Sequence, residues 1–218
     1  MRTQSVSPRS RLRSSSICSA FTFNATTGAP TGLVLPVKNA ASIKAQGLDF
    51  ALSYRSDLAR FFAKAPGALN LAFSGTYTRH VFVDLGTGTV VDRAGENSQL
   101  NSYAIPRFRM NLAATYLIGP ASVTSQVIFV SKGTIDNTFN TTAATTINTN
   151  DVPAAAYVNL LGSVDLTRDR RLQLFASINN LFDKDPPPVP STTLFTPTNG
   201  SYYDTVGRAF QLGFTFKY

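Results

Sequence analysis

Gly207-Arg208-Ala209-Phe210-Gln211-Leu212-Gly213-Phe214-Thr215-Phe216-Lys217-Tyr218 closes the chain. Apolar side chains stand at 210, 212, 214, 216 and 218, and Gln211, Gly213, Thr215 and Lys217 fill the places between them. Successive side chains of a β-strand point to opposite faces, so this spacing sets five apolar groups in one row. In water an apolar strand edge of this kind is an aggregation hazard, which soluble proteins blunt with charge, proline or a bulge. Here the row of five is unbroken, and its last apolar place is an aromatic residue at the terminus.

The same period runs back through the sequence to about residue 42. Leu48, Phe50, Leu52 and Tyr54 alternate with Asp49, Ala51, Ser53 and Arg55, and Leu69, Leu71, Phe73 and Tyr77 with Asn70, Ala72, Ser74, Thr76 and Thr78. Further segments place Phe108, Met110, Leu112, Ala114 and Tyr116 against Arg107, Arg109, Asn111 and Thr115, and Val123, Val127 and Phe129 against Ser122, Thr124 and Gln126. Val158, Leu160, Val164 and Leu166 oppose Tyr157, Asn159, Ser163 and Asp165; Leu172, Leu174, Ala176 and Ile178 oppose Gln173, Ser177 and Asn179. With the closing segment this predicts about seven strands and no helix. Each has roughly ten residues, the length a tilted strand needs to cross a bilayer, where a soluble strand runs about five or six.

The connections alternate as well. Ile118-Gly119-Pro120 and Thr167-Arg168-Asp169-Arg170 read as tight turns, whereas residues 83–106, 131–155 and 183–205 are long and rich in Gly, Asn, Thr and Pro. Transmembrane barrels place short turns at one rim and long loops at the other. The connection at 56–67 is too long for a tight turn, and its Phe61 and Phe62 suit a membrane interface. Period two alone also fits a soluble sandwich with its polar face in water; strand length, loop alternation and the closing strand favour the membrane. The fold class expected is all-β: antiparallel transmembrane β-barrel strands, about seven, an incomplete barrel segment. Leu69, Leu71, Phe73, Phe108, Met110, Leu112, Phe210, Leu212, Phe214 and Phe216 should face lipid, and Arg107, Arg109, Asn111, Gln126, Asn159, Gln173 and Gln211 the lumen.

Composition narrows the function classes. The 218 residues are 43% hydrophobic but only 15% charged, with 11% aromatics and no Trp, and the charged fraction lies below the usual quarter. No stretch approaches the roughly 20 apolar residues of a spanning helix, so a membrane contact requires a closed barrel. The net charge of +8 does not point to nucleic acid, because Arg2, Arg9, Arg11 and Arg13 crowd the start and the other basic residues are scattered without a basic helix or stacking motif. Cys18 is the single cysteine and has no internal partner. His80, the single histidine, has no evident partner and suits a solvated or lumen-facing place. No nucleophile elbow or carboxylate pair is visible, so no enzyme activity, catalytic residue, cofactor or metal site is expected. Residues 1–16 are basic and Ser-rich without a secretory apolar core. Residues 1–38 form an irregular N-terminal segment, read as loop with a turn at Asn24–Pro30, a short strand near Leu33–Val37 and a truncated or mispredicted start.

Two motifs carry a family resemblance. Ile178-Asn179-Asn180-Leu181-Phe182-Asp183-Lys184-Asp185-Pro186-Pro187 follows an alternating strand and precedes a long loop and the closing strand. Its asparagines and Asp183 can turn the strand end, and the prolines stop further pairing. It resembles the penultimate-strand motif of TonB-dependent receptors, and the closing strand resembles the C-terminal signature of bacterial outer-membrane proteins. Ala45-Gln46-Gly47-Leu48-Asp49-Phe50, Ile105-Pro106-Arg107-Phe108-Arg109-Met110-Asn111-Leu112 and Tyr202-Tyr203-Asp204 before Gly207-Arg208 are similar to strand starts in that family. The resemblance covers residues 39–218, as the C-terminal part of a receptor barrel.

The resemblance implies a place in the outer membrane and energised uptake of a scarce ligand such as an iron chelate, cobalamin or a saccharide. The implied partners are outer-membrane lipid, the barrel-assembly machinery through the closing strand, an unidentified small-molecule ligand, and TonB only through an N-terminal region this sequence lacks. A piece without plug or TonB box is expected to show no uptake alone, and its open edges to drive association. The alternative is a non-transporting outer-membrane barrel with a structural or adhesive role.

Overall fold

The computed structural model describes residues 21–33, 42–62, 64–86, 88–100, 103, 105–139, 148–189 and 197–217. The chain divides into two compact units, residues 1–39 and 40–218. In the first, β1 (Phe21–Phe23) pairs antiparallel with β2 (Pro30–Leu33). The Asn24 side chain accepts the amides of Thr26 and Thr27 at 2.8 and 3.0 Å, and Gly28 supplies φ 68°. The turn expected at 24–30 is thus an Asx-type hairpin turn. Residues 34–37 of the expected short strand, Cys18, the basic run at 1–16 and Tyr218 lie outside the described residues.

In the second unit, β3 (Ser42–Asp57), β4 (Ala68–Asp84), β6 (Phe108–Ile118), β7 (Ala121–Val130), β10 (Ala155–Asp165), β11 (Leu172–Asn179) and β12 (Ala209–Phe216) form one sheet. Each lies beside the next long strand in sequence, an antiparallel meander with no crossover, open at β3 and β12 among the described residues. Three short strands decorate the long connections: β5 (Val90–Asp92), paired to the end of β4, and β8 (Gly133–Thr134) with β9 (Asp151–Val152). The seven predicted strands appear where period two placed them.

Register shows why the period had to hold across the whole sheet. Leu52 pairs Phe73, which pairs Leu112, which pairs Val127, which pairs Val158. Leu160 pairs Ile178, and Ile178 pairs Phe210. Cross-strand partners share a face, so all the apolar residues expected to face lipid lie on one side. That side is bare: Leu52 is 68% and Leu212 76% exposed. Among the described residues of this unit no second sheet covers it, as a soluble sandwich would require.

The opposite side carries Arg109, Asn111, Gln126, Asn159, Gln173 and Gln211, as expected. Polar pairs bridge neighbouring strands there: Thr76 to Asp49 at 2.7 Å, Thr115 with Thr124 at 2.8 Å, Asn159 to Gln126 at 3.0 Å and Gln173 to Asp165 at 2.9 Å. The short connections (58–67, 119–120, 166–171) and the long ones (85–107, 131–154, 180–208) fall at opposite rims, because antiparallel strands return alternately. The connection at 58–67 is a compact turn opened by a 3-10 segment, Leu58–Arg60, and closed by the Leu58 amide on the Gly67 carbonyl at 2.9 Å; Phe61 and Phe62 stand exposed on it.

One residue departs from the sequence reading. Gln46 pairs His80 while Gly47 pairs Thr78, so Arg79 is an extra residue in β4. This bulge resets the alternation and turns His80 to the face of Gln46 and Leu48; of the two places expected, solvated or lumen-facing, it takes a partly solvated one. Its Nδ1 lies 2.7 Å from Asp92 Oδ2, and its ring stacks on Phe82 with centroids 4.8 Å apart. The histidine expected to have no partner therefore has two, both created by folding.

Opposite the bulge, a Cβ on Gly47 would lie 2.5 Å from the Tyr77 carbonyl oxygen. Gly47→Val should destabilise the sheet by about 1–3 kcal/mol, since the Tyr77 carbonyl and the Thr78 Cα, 3.3 Å away, are backbone that cannot rotate away. Urea titration of the chain refolded in lipid vesicles measures this, and an unchanged midpoint would show that the bulge yields.

Candidate functional site

The site is framed by the motif at the end of β11. Asn180 and Asp183 take left-handed conformations, φ 50° and 53°, which Asn and Asp adopt more readily than other side chains. The Asn180 side chain folds over the turn, its oxygen accepting the Lys184 amide at 2.8 Å and its nitrogen donating to the Lys184 carbonyl at 3.0 Å. Its own amide donates to Asn159 Oδ1 at 2.9 Å, which ties the turn to β10. Asp183 Oδ1 accepts the Arg208 amide at 2.9 Å, so the same motif that ends β11 also sets the start of β12.

Beyond that frame the three long connections fold inward. Val130 of β7 and Ala155 and Tyr157 of β10 lie on the polar face near the long-loop rim, and Ile135, Val152, Val189 and Tyr203 pack on them. Asn97 is the hub. Its nitrogen donates to the Ser131 carbonyl at 2.9 Å and to the Tyr203 hydroxyl at 2.8 Å, while Asn199 donates to the Asn97 carbonyl at 3.1 Å. One side chain from the first connection thus holds the second and the third. Burial pushes the Tyr203 hydroxyl up to about 12, so it stays protonated through the physiological range. Arg93 adds an ionic tie, bonding Glu96 at 2.8 Å and Asp136 of the second connection at 3.0 Å.

Below this loop cluster the polar face is hollow. A cavity of about 540 Å³ is lined by Asp49, Thr76, Thr78, Arg109, Asn111 and Gln126, among others. Gln126 also borders a second hollow of about 370 Å³, with Asn159, Ser177 and Gln211. Arg109 stands at the rim, its guanidinium 4.9 Å from the centre of the Tyr202 ring, a cation–π contact linking the third connection to β6. A wall of amides, hydroxyls and isolated charges can hydrogen-bond a polar ligand or protein segment. No group of three or more His, Cys, Asp or Glu that could hold a metal occurs among the described residues.

The sequence placed Arg109, Asn111, Gln126 and Asn159 on this wall and Tyr203 in a strand entry, but it assigned no role to Arg93, Glu96, Asn97, Asp136 or Asn199. Apolar Val152 and Val189 within long polar connections were the available sign that these loops pack against something.

A family model described as TonB dependent receptor-like, beta-barrel, matches residues 19–181. No curated protein matches the sequence. Two crystal structures of variants of PfeA, the ferric enterobactin receptor of Pseudomonas aeruginosa, resemble the fold with a TM-score of 0.51 at 20% identity. Each match covers 79% of this chain and 22% of the other, so the chain spans about a fifth of those receptors.

Proposed function

We propose, on the premise that this chain belongs to the TonB-dependent receptor-like β-barrel family, that residues 39–218 are the C-terminal part of the wall of a receptor for energised uptake of a scarce ligand. The family is one of outer-membrane, non-enzymatic transporters. The observation that carries the reading is the division of one meander into a bare apolar face and a hollow polar face, with every long connection at one rim. A sheet with an apolar exterior is stable only in lipid, and its polar interior can serve a passage.

In this reading lipid covers the row from Leu52 to Phe210, and the interlocked connections shape the external mouth. Arg109 and the neighbouring amides meet the ligand or the segment that fills the lumen, TonB supplies the force, and the barrel-assembly machinery takes β12. An iron chelate, cobalamin and a saccharide are the ligand classes to test side by side.

Uptake of these three, labelled, in cells displaying the receptor that carries this segment should fall to background when the proton-motive force is dissipated. Normal display without force-dependent uptake of any of them would favour a structural or adhesive barrel instead.

A further inference from the structure

The two rims of the sheet carry net charges of opposite sign. The short connections hold Arg60 and Lys64 at 58–67 and Arg168, Arg170 and Arg171 at 166–171, against the single acid Asp169. In the long connections acids outnumber cations seven to five. Lys217 adds to the short rim, where its amide donates to the Arg171 carbonyl at 2.8 Å. Arg170 and Arg171 lean toward Asp165 and Asp169 at 3.6 and 3.2 Å. Arg60, Lys64 and Arg168 have no acid within ion-pair distance among the described residues.

The 58–67 turn adds an apolar element. Phe61 and Phe62 are 60% and 67% exposed, and Arg60 and Lys64 flank them, exposed as well. The turn is fixed on the lipid side of the sheet, because the hydroxyl of Tyr116, a residue of the apolar face, donates to the Pro66 carbonyl at 2.8 Å. Aromatic rings at that height belong to the band where a barrel passes from hydrocarbon to headgroups. Two bare phenyl rings between two unpaired cations fit a surface that offers apolar chains and negative groups side by side. An acidic protein would answer the cations and leave the rings in water.

We propose that the short-turn rim is a docking surface for the anionic phospholipid headgroups of the leaflet it enters. Arg60 and Lys64 meet the phosphates, and Phe61 and Phe62 seat among the upper acyl carbons. Arg168 and Lys217 repeat the positive charge at the other end of the sheet, beside β11 and β12. A guanidinium can bond two phosphate oxygens at once, and an ammonium acts as a point charge. Each such cation strengthens attachment to an anionic surface about fivefold. This lipid preference rests on the membrane-wall reading above and is independent of any transported ligand.

The test places the full chain in vesicles of equal parts phosphatidylcholine and phosphatidylglycerol. Traces of each lipid, spin-labelled, report through the immobilised part of their spectra which one occupies the protein boundary. At low salt wild type should enrich phosphatidylglycerol several-fold, and molar salt should remove most of that enrichment by screening. Arg60→Gln/Lys64→Gln should lose most of it at low salt. Phe61→Ser/Phe62→Ser should also lose most of it with every charge retained, because the turn no longer reaches the headgroup layer. Lys132→Gln/Lys184→Gln, at the opposite rim, should keep it. All these side chains are exposed, so none of the substitutions should unfold the sheet. Wild type without enrichment, full enrichment in either variant of the 58–67 turn, or an equal loss in the opposite-rim variant would overturn the proposal while leaving the membrane wall intact. Failure of the chain to enter the vesicles at all would overturn both.

Discussion

Arginine in place of Leu112 should cost the folded barrel about 2–4 kcal/mol, the depth-dependent cost of a cation at the lipid-facing midplane. Arginine in place of Ala113, one residue on, should cost far less. Leu112 lies midway along β6 and pairs Phe73 and Val127 on the bare apolar face. Ala113 pairs Ala72 and Gln126 and borders the smaller hollow of the polar face, where a long cation can reach water. Urea-dependent folding into lipid vesicles compares the two variants directly. Equal costs would mean that the faces do not differ in solvent, and the membrane assignment would fall with them.

Asn97→Ala should loosen all three long connections together. The substitution strands the buried Tyr203 hydroxyl and the Ser131 carbonyl, and an unsatisfied buried polar group costs about 1–3 kcal/mol. The cluster should therefore lose about 2–4 kcal/mol of local stability while the strands stay paired, because Asn97 touches no ladder hydrogen bond between long strands. Hydrogen exchange should rise in residues 131–139 and 197–206 and stay unchanged in β10 and β11. A response confined to the first connection would show that the loops move separately.

How legible each part was depends on the range of the interaction that makes it. The strands were legible because the membrane imposes one demand, an apolar outer face, on every second residue of every long strand. A register slip at Leu112 or Phe210 would turn a whole row into the wrong solvent. The tight turns at 119–120 and 166–171 were legible because glycine, proline and aspartate act on their own backbone. The strand-end motif lay between these cases. Its residues were visible, but the grip of Asp183 on Arg208 across the last long connection was not.

His80 marks the point where local pattern stops being enough. The alternation read from the sequence ends at Thr78, and only pairing with β3 shows that Arg79 is surplus and that everything beyond it changes face. Likewise, Glu96 and Asp136 read in sequence as two charges in polar loops. Folding brings them onto one guanidinium, away from water.

By itself the sequence determined the strands, their two faces and the rim that bears the long connections, because a period of two is written residue by residue and the solvent on each face enforces it. The tertiary structure alone decided the bulge at Arg79, the hub at Asn97, the Arg93 ionic tie and the hollow beneath them. Each of these joins residues far apart in the chain, whose bonds depend on where the backbone returns.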